Sequence, residues 1–153
     1  MNPTTRLAEL GLTLPAVAKP IAAYIPSKRV GNLVMTSGQL PTANGELVAK
    51  GRVSIEVTPE AAKIAAALAA LNALAAAADA AGGLDNIVGI VRVGVFVAAP
   101  PEFHAHSAVA NGASEFLQNV FGDAGNHVRA AVGCASLPLN AAVEVEITVE
   151  VKA

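Results

Sequence analysis

The stretch NHVRAAVGCASLPLNAAVEVEITVEVKA, from Asn126 to Ala153, decides the fold of this chain. Its second half alternates without a break. Val143, Val145, Ile147, Val149 and Val151 fall on one face of an extended strand, and Glu144, Glu146, Thr148 and Glu150 on the other. A strand with one apolar and one polar face belongs to a sheet covered on one side only. The first half, Arg129 to Ser136, predicts a further strand of small apolar residues with an arginine at its head, and Leu137-Pro138 turns the chain between the two. A guanidinium set among Ala and Val needs an anion. Either an acid of the chain supplies it, or a ligand carboxylate does, whose two oxygens match the donor fork.

Working outward, Ile87 to Val97 (IVGIVRVGVFV) is almost continuously apolar and β-branched, as an interior strand should be, with Arg92 as an outward charge. Between this strand and Arg129 lies a helix, predicted from Glu102 to Val120 after Pro100-Pro101 and stopped by Gly122. Phe103, Ala110, Ala113, Leu117 and Val120 would form its buried face. His104 and His106 diverge on such a helix and have no spaced acidic partner, which argues against a metal site. Upstream, Thr58-Pro59-Glu60 starts another helix with an N-cap, a proline at the first helical position and an acid in the first turn, and Gly82-Gly83 ends it. Ile64, Leu68, Leu71 and Leu74 are placed on its buried face. Lys63, Asn72 and Asp79 interrupt this Ala-rich run, so it reads as a core helix and not a membrane span. Val30 to Leu40 (VGNLVMTSGQL) predicts a strand in which Gly38 marks a close backbone approach. Asn44-Gly45 turns the chain into a return strand over Glu46 to Ile55. Residues before Pro20 form an N-terminal extension (1–19), with a short amphipathic helix around Leu7, Leu10 and Leu12.

The order of elements gives an α/β (α+β) domain over 1–153: a mixed β-sheet with two helices packed on one face. A chain that is 54% hydrophobic and 14% charged, with one sheet face bare, should oligomerise. A net charge of −2 and the lack of any basic tract argue against a nucleic-acid partner. A single cysteine, Cys134, rules out an internal disulfide framework and fits a reducing, cytoplasmic setting. No Gly-rich phosphate loop and no serine or cysteine nucleophile pattern is present. The remaining candidates for chemistry are polar groups at strand ends and on the second helix: Tyr24, Ser37, Gln39, Asn111, Arg129 and Glu144.

Three segments, GNLVMTSGQLP (Gly31–Pro41), IVRVGVFV (Ile90–Val97) and RAAVGCASLPLNAAVEVE (Arg129–Glu146), resemble the Rid/YjgF family, the reactive-intermediate deaminases, also called the endoribonuclease L-PSP family. The resemblance runs from about Tyr24 to the C-terminus. It implies a chorismate-mutase-like fold, a homotrimer, and sites in clefts between subunits. It also implies hydrolysis of 2-imino and enamine acids to 2-keto acids and ammonia without a metal or cofactor. By the same resemblance Arg129 clamps the substrate carboxylate, Glu144 handles water, and Tyr24, Gly38, Asn111 and Ala131 line the pocket. Such chemistry is economical, because an imine is already electrophilic and needs mainly positioning and a water.

Departures from the family pattern mark a divergent subgroup. Ala131 stands where deaminating members often carry cysteine, and Ser114 where many carry an aromatic residue. Ala22-Ala23-Tyr24 replaces a Gly-Pro-Tyr entry, and the second helix region is longer by about one turn. Two other readings compete with the deaminase. One is a non-catalytic trimer that binds small carboxylate metabolites. The other is the RNA-cleaving or translation-inhibiting activity attributed to some relatives, which the low basic content disfavours.

Overall fold

In the computed structural model, which describes Met1 to Ala153, the alternating stretch forms β7 (Val143–Val151), the middle strand of a five-stranded sheet. Its neighbours are β2 (Leu33–Thr36), edged by β1 (Ser27–Val30), and β5 (Ile87–Ala98), edged by β6 (Val128–Cys134). All pairs are antiparallel except β5–β6, which is parallel. A parallel pair needs a long crossover, and helix α3 (His106–Phe121) provides it. The short β3 (Thr42–Ala43) and β4 (Glu46–Leu47) make a separate hairpin. Its two turn residues, Asn44 and Gly45, both take positive φ (53° and 80°), as a tight hairpin turn with both central residues left-handed requires.

One sheet face is buried and the other bare, in the register that the sequence predicts. Val143, Val145, Ile147, Val149 and Val151 are all buried, together with Val93, Val95 and Val97 of β5. Helix α2 (Pro59–Ala81) packs on this face against β7, with α3 alongside it. A third helix, α1 (Pro3–Glu9), is capped by Asn2 and packs on α3. Thr58 caps α2 as expected, its side chain accepting from the backbone of Ala61 at 3.1 Å. Gly82 ends the helix at φ 77°. By length and apolarity α2 would suit a membrane, yet 72% of its most apolar stretch is buried inside the protein.

Several expectations need correction. The strand predicted over Val30 to Leu40 is two pieces: Val30 ends β1, and β2 stops at Thr36. Beyond it the chain leaves the ladder and touches it again only at Gln39, opposite Val145. The return strand over Glu46 to Ile55 is only Glu46–Leu47, and the rest is turn held by isolated bridges. The second helix begins at His106 and not at Glu102, because the two prolines lead into a turn, which leaves Phe103 outside the helix and edge-on to the His106 ring. The strand predicted from Arg129 to Ser136 spans Val128–Cys134.

On α2, Ile64 is 73% exposed, and the fully buried residues are mostly alanines: Ala62, Ala66, Ala69, Ala70, Ala73 and Ala77. The spacing of large residues misleads here because α2 meets a sheet on one side and a helix on another. Small side chains permit both approaches. The tightest point is Gly112 of α3, where any Cβ would collide with the backbone carbonyl of Lys63.

Candidate functional site

Arg129 lies on edge strand β6, level with Val93 of β5 and through it with Ile147 of β7. Paired residues share a sheet face, so the guanidinium rises on the helix-covered side. There Nη1 donates to Asn111 Oδ1 at 2.8 Å and to Ser114 Oγ at 3.1 Å, both on α3. The two residues are three positions apart and therefore share a helix face. The ion pairs of the chain are Arg52–Glu56, Lys63–Glu115 and Arg92–Glu146, so no acid engages Arg129. Nη1 has both hydrogens committed to neutral acceptors. The Nε and Nη2 edge, a ready-made fork for a carboxylate, makes no hydrogen bond within the chain. Arg92, read as an outward charge, sits on the bare face and pairs with Glu146 at 3.5 Å.

Glu144 occupies the other face. It is level with Phe96 and, across the sheet, with Val132. With Tyr24, Gly38, Gln39, Pro138 and Leu139 it lines a cleft of about 240 Å³, closed on one side by Ala18 to Ile21 of the N-terminal segment. Tyr24 is 47% exposed and lines this cleft, not the core. Gly38 has its expected close approach: a Cβ there would stand 2.7 Å from Glu144 Cδ. Burial first, and the neighbouring Glu146 charge second, push the Glu144 carboxyl above the ordinary carboxylate range. The Cys134 thiol is also pushed up, by burial and then by Glu144, so it is a poor nucleophile. The loop carrying Gly38 to Thr42 is anchored by the buried Asn72 of α2, whose amide donates to the carbonyls of Leu40 and Thr42 at 2.9 and 3.0 Å.

The predicted residues therefore fall into two groups. Arg129, Asn111 and Ala131 lie on the covered side, where Ala131 packs against the core in register with Val95. Tyr24, Gly38 and Glu144 meet in the cleft. Two strand spacings, roughly 10 Å, separate the strands bearing Arg129 and Glu144, and their side chains leave opposite faces. One chain alone cannot present both to a single small ligand. Two residues of the Arg129 cluster escape a reading by sequence. Ser114 registers there only as a departure from a family pattern, and His127 not at all, yet Ser114 Oγ lies 2.8 Å from His127 Nε2 and His127 Nδ1 lies 2.6 Å from the Gly125 carbonyl oxygen. His127 immediately precedes β6, and only the packing of α3 over this strand brings it to Ser114.

A mixed sheet with helices on one face, an arginine held by neutral partners and a separate cleft around a perturbed glutamate define a small α+β protein with two separate polar clusters. Residues 4–151 match the family described as "YjgF/chorismate mutase-like, putative endoribonuclease", and the chain belongs to this family. The Trypanosoma cruzi protein TCP17 is 39% identical over 145 residues, covering 94% of this chain and 91% of that protein. Agrobacterium tumefaciens Atu1372, a protein of unknown function, is 43% identical with a TM-score of 0.91 over 98% of this chain and 92% of its own. A Shewanella oneidensis "putative endoribonuclease" is 34% identical with a TM-score of 0.95, over 99% of this chain and 100% of its own. The family and the cleft are consistent with a role in binding or processing small molecules.

Proposed function

We propose that the chain hydrolyses reactive 2-imino and enamine acids to 2-keto acids and ammonia, at sites that two copies of the chain build together in a homotrimer. The observation that carries this is Arg129: a half-buried guanidinium, held only by neutral acceptors, with one bidentate edge uncommitted. The bare sheet face supplies a surface for assembly, with Leu33, Met35, Val128 and Val132 exposed among the acids of β7. A neighbouring copy whose β6 edge met that face would bring its Arg129 toward Glu144.

In this reading Arg129 grips the carboxylate and Tyr24, Gly38, Asn111 and Ala131 shape the pocket. The enamine first takes a proton at its terminal carbon and gives one up from its nitrogen, becoming the imine. Glu144 accepts a proton as water adds to the imine carbon, and the nitrogen gains that proton. Collapse of the carbinolamine passes the hydroxyl proton to the nitrogen, forms the keto C=O bond, breaks the C–N bond and releases ammonia. A carboxylate raised above its ordinary range is a better base for this step than a fully solvated one. Ala131 brings no side-chain chemistry of its own, which leaves the work to Arg129 and Glu144.

The second reading, a trimer that binds small carboxylates without turnover, draws on Escherichia coli TdcF. That protein shares the fold (TM-score 0.65, 24% identity) and its crystal structure has bound serine. Turnover separates the two. 2-Aminoacrylate is generated in situ and its decay followed with and without the protein. The deaminase reading expects faster decay, reduced about a hundredfold or more in Arg129→Ala, the loss of two charge-assisted hydrogen bonds. Binding of 2-keto acids with no acceleration would establish the second reading instead.

A further inference from the structure

We propose that Ser114 and His127 are positioning residues for Arg129: a one-way hydrogen-bond chain that sets which edge of the guanidinium meets the ligand while leaving its charge unspent. This rests on the carboxylate-clamp reading above. The direction of each bond follows from what each group can do. A carbonyl oxygen only accepts, so the 2.6 Å contact to Gly125 places the His127 proton on Nδ1. In the neutral ring Nε2 is then an acceptor, and Ser114 Oγ, 2.8 Å away, donates its single hydrogen there. Arginine only donates, so the same oxygen accepts from Arg129 Nη1 at 3.1 Å. Asn111 Oδ1 takes the second Nη1 hydrogen at 2.8 Å. Each Nη1 hydrogen has one destination, and the guanidinium cannot swing its Nη1 edge outward without breaking two bonds.

Two features separate this arrangement from ordinary packing. Ser114 is only 8% exposed on a helix face whose other buried members include Ala110 and Ala113, so an alanine would fill the position if filling were all that it required. Its hydroxyl is buried where it meets a cation and a ring, and both are satisfied. The anchors are also neutral. An aspartate or glutamate in place of Ser114 would hold Arg129 more tightly, but it would occupy the charge that the ligand must engage. Serine backed by histidine gives orientation without neutralisation.

The test measures binding of 2-oxobutanoate and of its uncharged amide, 2-oxobutanamide, to the full-length protein by calorimetry. The wild type should prefer the acid. Ser114→Ala should weaken the acid about tenfold, the loss of one hydrogen bond to a charged group, and His127→Leu, which frees the serine hydroxyl to turn, about threefold; both should leave the amide unchanged. His127→Gln, which keeps an acceptor for the serine, should recover most of the preference. His127 is half-buried and its variants keep the test open if the Ser114 variant does not fold. Acid affinity unchanged in Ser114→Ala and His127→Leu, with Arg129→Ala losing it, would overturn the positioning role and leave the clamp standing. Equal weakening of acid and amide would reduce both residues to structural parts. Acid affinity intact in Arg129→Ala would remove the clamp, and this inference with it.

Discussion

Gly38 is the position where a single methyl group separates stability from activity. A Cβ there would stand 2.7 Å from Cδ and 2.9 Å from both Cγ and Oε1 of Glu144. The atoms in its way belong to a flexible side chain at an open cleft, so they can yield. Gly38→Ala is therefore expected to fold with a thermal midpoint close to that of the wild type, while imine hydrolysis falls about a hundredfold from a displaced carboxylate. A variant that keeps its full rate would dissociate Glu144 from the chemistry. The Glu144 carboxyl itself carries a second prediction. Its pKa is higher in the folded chain, through burial and then Glu146, so its contribution to stability is present below the unfolded value and lost as pH rises through the folded one. Above that range the ionised group opposes folding. Glu144→Gln should thus raise the melting midpoint at about pH 8, a stabilisation of less than about 1 kcal/mol because the group is only partly buried and is screened, and the gain should vanish near pH 3.5. A lower midpoint at the higher pH would show that the carboxylate is stabilised by a partner instead.

At the scale of elements, α2 does two jobs that its composition conceals. Its alanines let α3 and the sheet approach, and Asn72 ties the Leu40–Thr42 segment to the core. Asn72→Leu keeps the volume but leaves the carbonyls of Leu40 and Thr42 without their donor. It should cost about 1–3 kcal/mol in chemical denaturation and loosen the segment that carries Gly38. An unchanged denaturation midpoint would mean that water replaces the amide without loss. What could be read from the sequence follows the same division. The β7 alternation, the Thr58 cap and the Gly82 stop are local signals, written within a few residues, and all three hold in the structure. The exposed Ile64, the break after Thr36 and the late start of α3 were not legible, because each depends on what packs against the segment and not on the segment's own pattern. The candidate site divides likewise. Arg129 stands out as an isolated cation and Gly38 as an interrupted strand, whereas Ser114 and His127, on separate elements, acquire meaning only when α3 lies over β6.

At the scale of the whole molecule, the sheet itself keeps Arg129 and Glu144 apart. They project from opposite faces of strands two places apart in the order β1-β2-β7-β5-β6. No side-chain rotation within one chain closes that gap, so a site using both must take one residue from each of two copies. Arg129→Ala and Glu144→Gln should each be inactive alone. Co-expressed in equal amounts, they should form mixed trimers in which about a quarter of the interfaces pair an intact arginine with an intact glutamate, since each interface draws its two halves independently. Imine hydrolysis should return to about that fraction of the wild-type rate, and sedimentation should report a trimer for all three preparations. Mixed oligomers that assemble and yet stay inactive would place both residues' work within one chain, or would leave one of them outside the reaction altogether.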